Sequence, residues 1–83
     1  MAQVVTILGD GAWGTAMAWV LAQRTGRRVR ILGTRPETTL QFQKTRENVR
    51  LLPGIKLPDA VSILVDPGEA FAGTEAVFVA VPT

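Results

Sequence analysis

Apolar positions in this chain alternate between short continuous runs and longer stretches with helical spacing. Val4 to Leu8 is an apolar run interrupted only by Thr6, the pattern of a central parallel strand covered on both faces. From Ala12 to Arg24 there is no proline. Trp13, Ala16, Met17, Val20 and Leu21 recur there at helical spacing, and Gly14, Ala18 and Ala22 form a second stripe of small residues that should let a helix press closely on a sheet. Thr25-Gly26 is the expected stop, with Gly26 as a left-handed C-cap and Arg24, Arg27 and Arg28 near the negative end of the helix dipole. Val29 to Leu32 reads as the second strand, and Pro36 to Lys44 as a short helix with the proline in first position, Glu37 in its first turn and Leu40 with Phe42 or Gln43 on one side.

The stretch from Arg46 to Pro58 carries Pro53, Gly54 and Pro58 and is expected to be mainly an ordered loop, whose apolar residues imply that it packs back on the body. Val61 to Val65 reads as the third strand. Asp66-Pro67-Gly68-Glu69 opens a short helix through Ala72, and Ala76 to Val81 is the fourth strand. Strand alternating with helix in this way predicts an α/β fold, a doubly wound parallel sheet with strand order 3-2-1-4. The ligand crevice of such a sheet lies between the C-terminal ends of strands one and four, where Gly9 to Gly14 and Val81 to Thr83 would meet. The fourth strand is left as an unprotected edge, so residues 1–83 read as the front of a longer protein whose substrate domain lies elsewhere.

Composition narrows the class. A chain of 83 residues forms at most one small domain, burying roughly 60% of its unfolded surface. Apolar residues make up 47% and charged residues 19%, yet no apolar run approaches the roughly 20 residues of a membrane span, and a buried sheet accounts for the apolar excess. There is no signal-peptide pattern and no cysteine, so a cytoplasmic location is the default expectation. No metal centre is expected in a chain that also has no histidine. The net charge of +2 conceals segregation: every Lys and Arg lies between Arg24 and Lys56, a basic block placed where the far end of a phosphorylated ligand would lie. Nucleic acid is disfavoured as a partner, because aromatic residues (6%) are few and not interleaved with the arginines as stacking platforms.

The chemistry is concentrated after the first strand, in Gly9-x-Gly11-x-x-Gly14. In the context strand, glycine turn, helix, this is the fingerprint of a dinucleotide-binding, Rossmann-type unit. Gly9 permits the tight turn, Gly11 has no Cβ to hold a pyrophosphate away, and Gly14 allows close helix–sheet packing. The unpaired N–H groups of the first helical turn and the helix dipole then form an anion site. After the second strand, NAD-preferring sites present an acid to the ribose 2′-hydroxyl. Here the sequence is Gly33-Thr34-Arg35-Pro36, with no carboxylate until Glu37. Arg35 offers a planar cation to a 2′-phosphate and Thr34 a hydroxyl, which favours NADP over NAD.

Gly9-Asp-Gly-Ala-Trp-Gly-Thr-Ala, Gly33-Thr-Arg-Pro-Glu, Asn48-x-x-Leu-Leu-Pro-Gly-x-x-Leu-Pro and Val79-Ala-Val-Pro-Thr, in that order, resemble the N-terminal segment of the NAD(P)-dependent glycerol-3-phosphate dehydrogenases. The resemblance spans the whole chain, and the Asn48 to Pro58 motif is its most specific part. It implies a protein that interconverts dihydroxyacetone phosphate and sn-glycerol 3-phosphate for phospholipid synthesis. It also implies cofactor contacts at Ala12 and Trp13, between the second and third glycines, and at Thr34 and Arg35. The family's loop aromatic is replaced by Leu51, which can pack on a ring but cannot donate a hydrogen bond, and Asp10 adds a negative charge beside the phosphates. The family's catalytic lysines and substrate-binding residues lie further along, so no catalytic residue is assigned to this chain. Its partners are then the dinucleotide and the remainder of the enzyme or a second subunit. Two alternatives are the cofactor domain of a sugar-nucleotide or hydroxyacid dehydrogenase, against which the Asn48 to Pro58 motif argues, and a stand-alone nucleotide-sensing module, which the downstream reading frame would distinguish.

Overall fold

A computed structural model describes residues 4–9, 11–48 and 52–80, with the side chains of 52 and 53 excepted. The order is β1 (Val4–Leu8), α1 (Ala12–Thr25), β2 (Arg28–Leu32), α2 (Pro36–Thr45), β3 (Glu47–Asn48), β4 (Leu52–Lys56), β5 (Val61–Leu64), α3 (Pro67–Phe71) and β6 (Ala76–Val79). Four of the strands form one parallel sheet in the order β5-β2-β1-β6. With the strands numbered as the pattern predicts them, this is the order 3-2-1-4 of an α/β, doubly wound, Rossmann-type sheet.

Side chains in register across neighbouring strands share a face. Val5 aligns with Val29 and Val29 with Val61, while Ile7 aligns with Ile31 and Ile31 with Ile63. These two β-branched rows are almost fully buried, and most of their members form the core with Ala18 and Ala22 of α1, Phe42 of α2, and Leu57. The intervening row is Thr6, Arg30 and Ser62. It faces α3 through polar contacts: the Thr6 hydroxyl donates to the Ala70 carbonyl (2.6 Å), and the Arg30 guanidinium donates to the carbonyls of Glu69 and Ala70. The Val and Ile face of the sheet is thus purely apolar, whereas the α3 face combines these hydrogen bonds with the in-register row Leu8, Leu32 and Leu64, of which Leu32 is buried.

The helix ends follow local rules. Gly26 takes the left-handed conformation (φ 68°) that ends α1, and Pro36 sits in the first turn of α2. Asp66 caps α3 by accepting from the Glu69 N–H at 3.1 Å. In α1 it is the small stripe, Gly14, Ala18 and Ala22, together with Thr15, that is buried, whereas Trp13 and Val20 face outward. In α2, Phe42 enters the core and Leu40 remains exposed, so the two do not share one buried side.

One expectation needs correction. The stretch 46–58 is not mainly loop, because β3 and β4 pair antiparallel, Glu47 with Lys56 and Asn48 with Leu52, with a register irregularity between Glu47 and Asn48. Pro53 and Gly54 lie inside β4. Proline is tolerated on an edge strand of a two-stranded sheet, where one side of the backbone has no ladder to lose. Leu57 then closes over the main core, in keeping with the expectation that this stretch packs back. The strand after α3 ends at Val79 rather than Val81, and Val77, Phe78 and Val79 are exposed along it.

Candidate functional site

At the C-terminal end of β1 the chain turns through Gly9, whose φ of 122° is open to glycine and strained for other residues. The Gly9 N–H donates to the carbonyl of Leu32 (3.0 Å), which ties this turn to the end of β2. Gly14 is required by packing, because a Cβ there would stand 2.6 Å from the Gly9 carbonyl oxygen. Gly11 is different. Its φ is an ordinary −74°, and apart from its chain neighbours no heavy atom of the described residues lies within 4 Å of the place a Cβ would occupy. The fold itself therefore makes no demand for glycine at the N-cap of α1, and what it leaves there is open space against bare backbone.

That space adjoins the first turn of α1, where the N–H groups of Ala12, Trp13 and Gly14 have no intrahelical acceptors. No acidic residue sits in that turn, so the partial positive charge of the helix end is not offset there. Ala12 is half-buried, and the Trp13 side chain is 71% exposed. No buried side-chain nitrogen or oxygen among the described residues lacks a hydrogen-bond partner.

The turn is braced from below. Thr15 is fully buried, and both its N–H (2.9 Å) and its hydroxyl (2.8 Å) donate to the Gly11 carbonyl. The Thr15 oxygen in turn accepts from the side-chain amide of Asn48 in β3 (3.0 Å), a buried bond spanning 33 positions.

A second cluster lies at the end of β2. Gly33 donates its N–H to the Leu64 carbonyl (2.9 Å) and packs so tightly on α2 that a Cβ would overlap the Thr39 hydroxyl. Thr34 and Arg35 follow, both exposed, and Arg35 is the N-cap of α2. Its carbonyl accepts from the Thr39 N–H (2.9 Å) and the Thr39 hydroxyl (2.7 Å). Its guanidinium has no partner among the described residues. Thr34, Arg35, Pro36, Glu37 and Thr38 line an open depression of about 390 Å³. Since β1 and β2 are parallel and in register, the glycine turn and this depression occupy the same edge of the sheet, each at the positive end of a helix.

Of the residues singled out from sequence, Gly9, Gly11, Ala12, Trp13 and Gly14 thus lie together, and Thr34 and Arg35 lie at the neighbouring strand end. Leu51, Asp10 and Val81 to Thr83 are outside the described residues. The basic block does not act as one patch. The Arg30 guanidinium is committed to carbonyls beside α3, and that of Arg46 to the carbonyls of Pro58 (2.7 Å) and Val61 (2.6 Å). Thr15 and Gly33 carried no assigned role in the sequence, and Asn48 was only part of a motif. The available signal was a hydroxyl four positions after the middle glycine, in phase to back-bond its carbonyl. Among the described residues no group of three acidic, Cys or His side chains could hold a metal, and no helix is long and apolar enough to cross a membrane.

The profile of the NAD-dependent glycerol-3-phosphate dehydrogenase N-terminus family matches residues 4–83. The chain belongs to that family. It is 44% identical over 79 residues to a glycerol-3-phosphate dehydrogenase of Bacillus mycoides, covering 95% of this chain and 23% of that relative. It is 43% identical over 79 residues to the one from Geobacillus thermodenitrificans, with the same coverage. Among solved structures, the glycerol-3-phosphate dehydrogenase of Coxiella burnetii superposes with a TM-score of 0.92 at 31% identity, over 98% of this chain and 25% of the other. The chain thus spans about a quarter of the length of the glycerol-3-phosphate dehydrogenases it matches.

Proposed function

We propose that residues 1–83 are the N-terminal part of the dinucleotide-binding domain of a cytoplasmic glycerol-3-phosphate dehydrogenase, which interconverts dihydroxyacetone phosphate and sn-glycerol 3-phosphate in phospholipid synthesis. The observation that carries this is the open space over Gly11, set against the bare first turn of α1 at the C-terminal edge of the parallel sheet. A pyrophosphate there accepts from the backbone N–H groups around Ala12, Trp13 and Gly14, in space that the non-adjacent described residues leave open. The nicotinamide, when bound, supplies or takes the hydride. This chain's own residues bind and orient, and the groups that hold the triose phosphate belong to parts of the relatives that it does not span.

The cofactor preference follows from the second cluster. The Arg35 guanidinium and the Thr34 hydroxyl are exposed at the end of β2, where an NAD-selective site places a carboxylate, so NADP is favoured. Leu51 completes the set by packing on a ring of the cofactor. The remainder of the enzyme, or a second subunit, covers the exposed apolar edge of β6. The deciding experiment is calorimetric titration of the full-length protein with NADPH and NADH, followed by NADPH oxidation on addition of dihydroxyacetone phosphate. Tight NADPH binding with turnover supports the assignment. Binding with no turnover on this substrate, but turnover on a hydroxyacid or sugar nucleotide, would move the protein to another dehydrogenase class.

A further inference from the structure

The side chain of Asn48 reaches the glycine turn through a single intermediary. Its amide donates to the Thr15 oxygen at 3.0 Å, and the Thr15 hydroxyl donates to the Gly11 carbonyl at 2.8 Å. Thr15 is fully buried and Asn48 nearly so (8% exposed), so water does not readily substitute for either bond. A hydroxyl that accepts one bond while donating another has its hydrogen direction set, and the two bonds reinforce each other. Gly11, at the end of this relay, is the N-cap of α1 and the residue over which open space lies. Asn48 belongs to the β3–β4 pair, a sheet separate from the parallel one, so the relay is a polar link between that pair and the turn.

We propose that Asn48, acting through Thr15, is a positioning residue for the dinucleotide: the relay sets the orientation of the Gly11 peptide and with it the N–H groups that face the pyrophosphate. The inference rests on the dinucleotide assignment above and extends it to two residues that touch no ligand themselves. Its physical content is preorganisation. Without the relay, the Gly11–Ala12 peptide has only the helix's own N–H from Thr15 to hold its carbonyl, and part of the binding free energy is spent on ordering the turn.

The test is calorimetry on the full-length protein carrying Asn48→Ala, Thr15→Val, both together, and Thr15→Ser. The ligands are NADPH and, as competitors lacking a pyrophosphate, adenosine 2′-monophosphate and adenosine. Each of the first two substitutions should raise the NADPH Kd about fivefold, as expected for loss of one neutral hydrogen bond of roughly 1 kcal/mol. The double variant should be no worse than the weaker-binding single one, because both break the same relay. Thr15→Ser, which keeps the hydroxyl, should bind like the wild type, and the pyrophosphate-free competitors should be unaffected throughout. Additive losses, no rescue by serine, or equal losses for the competitors would overturn the relay and leave only a packing role. Should Asn48→Ala fail to fold, the Thr15→Val and Thr15→Ser pair still decides the matter. Failure of the wild type to bind NADPH or NADH would instead remove the dinucleotide assignment itself, and the relay with it.

Discussion

Arg35 offers the sharpest test of cofactor choice. It stands at the N-cap of α2, exposed, with its backbone carbonyl anchored by Thr39 and its guanidinium directed to no described residue. The backbone at this position is thus held while the charge is available. Arg35→Ala leaves that anchoring intact and removes only the cation. A charge-assisted hydrogen bond contributes roughly 1.5 to 3 kcal/mol, and at so exposed a position solvent screening points to the lower end. The expected loss is therefore about tenfold in NADPH affinity, while NADH, which has no 2′-phosphate, should change little. Calorimetric Kd values for both cofactors in the full-length protein give the ratio directly. Raising ionic strength from about 0.05 to 0.5 M should shrink the wild-type preference in the same direction, since the screening length falls well below 10 Å. Parallel losses for both cofactors would refute the reasoning and indicate that Arg35 serves the N-terminus of α2. An unchanged ratio would make it an ordinary surface arginine.

The glycines should separate by mechanism. Gly11→Val, which enters open space, should largely abolish dinucleotide binding while lowering the melting temperature little, whereas Gly14→Ala, forced to within 2.6 Å of the Gly9 carbonyl, should destabilise the fold by about 1 to 3 kcal/mol, as chemical denaturation of the two variants would show. Arg46→Ala, which takes one donor from the Pro58 carbonyl, still held by the Val61 N–H, and the guanidinium from the Val61 carbonyl, should cost about 1 to 2 kcal/mol of stability in the same measurement without altering the ratio of NADPH to NADH affinity. Residues 1–83 alone should not oxidise NADPH in the presence of dihydroxyacetone phosphate, since they span only about a quarter of the relatives' length and the groups proposed to hold the substrate belong to the rest; turnover above a no-protein blank would contradict that division of labour.

Much of the architecture was legible because it rests on local periodicity. The continuous run at Val4 to Leu8, the stripe of Gly14, Ala18 and Ala22, the stop at Gly26 and the cap at Asp66 are each settled by residues within a few positions of one another, and the observed elements fall where these signals place them. The strand order followed from the alternation of strands and helices. The stripe of short side chains on α1 that the sequence offers for close packing on a sheet is the buried one, because a parallel sheet of valine and isoleucine rows admits a helix at close range only where side chains are short. What periodicity did not supply was how far the larger stripe stays out of the core, with Trp13 and Val20 turned outward.

The roles that depend on distant partners were decided only in three dimensions. Pro53 and Gly54 made 46–58 read as loop, yet pairing of Glu47 with Lys56 across nine positions yields a two-stranded sheet. The basic block looked like one surface in the sequence, but Arg30 and Arg46 are used up on carbonyls far along the chain, which leaves Arg35 at the site's mouth. By itself the sequence determined the strand, glycine turn and helix on which the proposed anion site rests, since that geometry needs only neighbours in the chain. The bracing of that turn by Thr15 and Asn48 was settled by tertiary structure, because a hydrogen bond between residues 33 positions apart has no local signature.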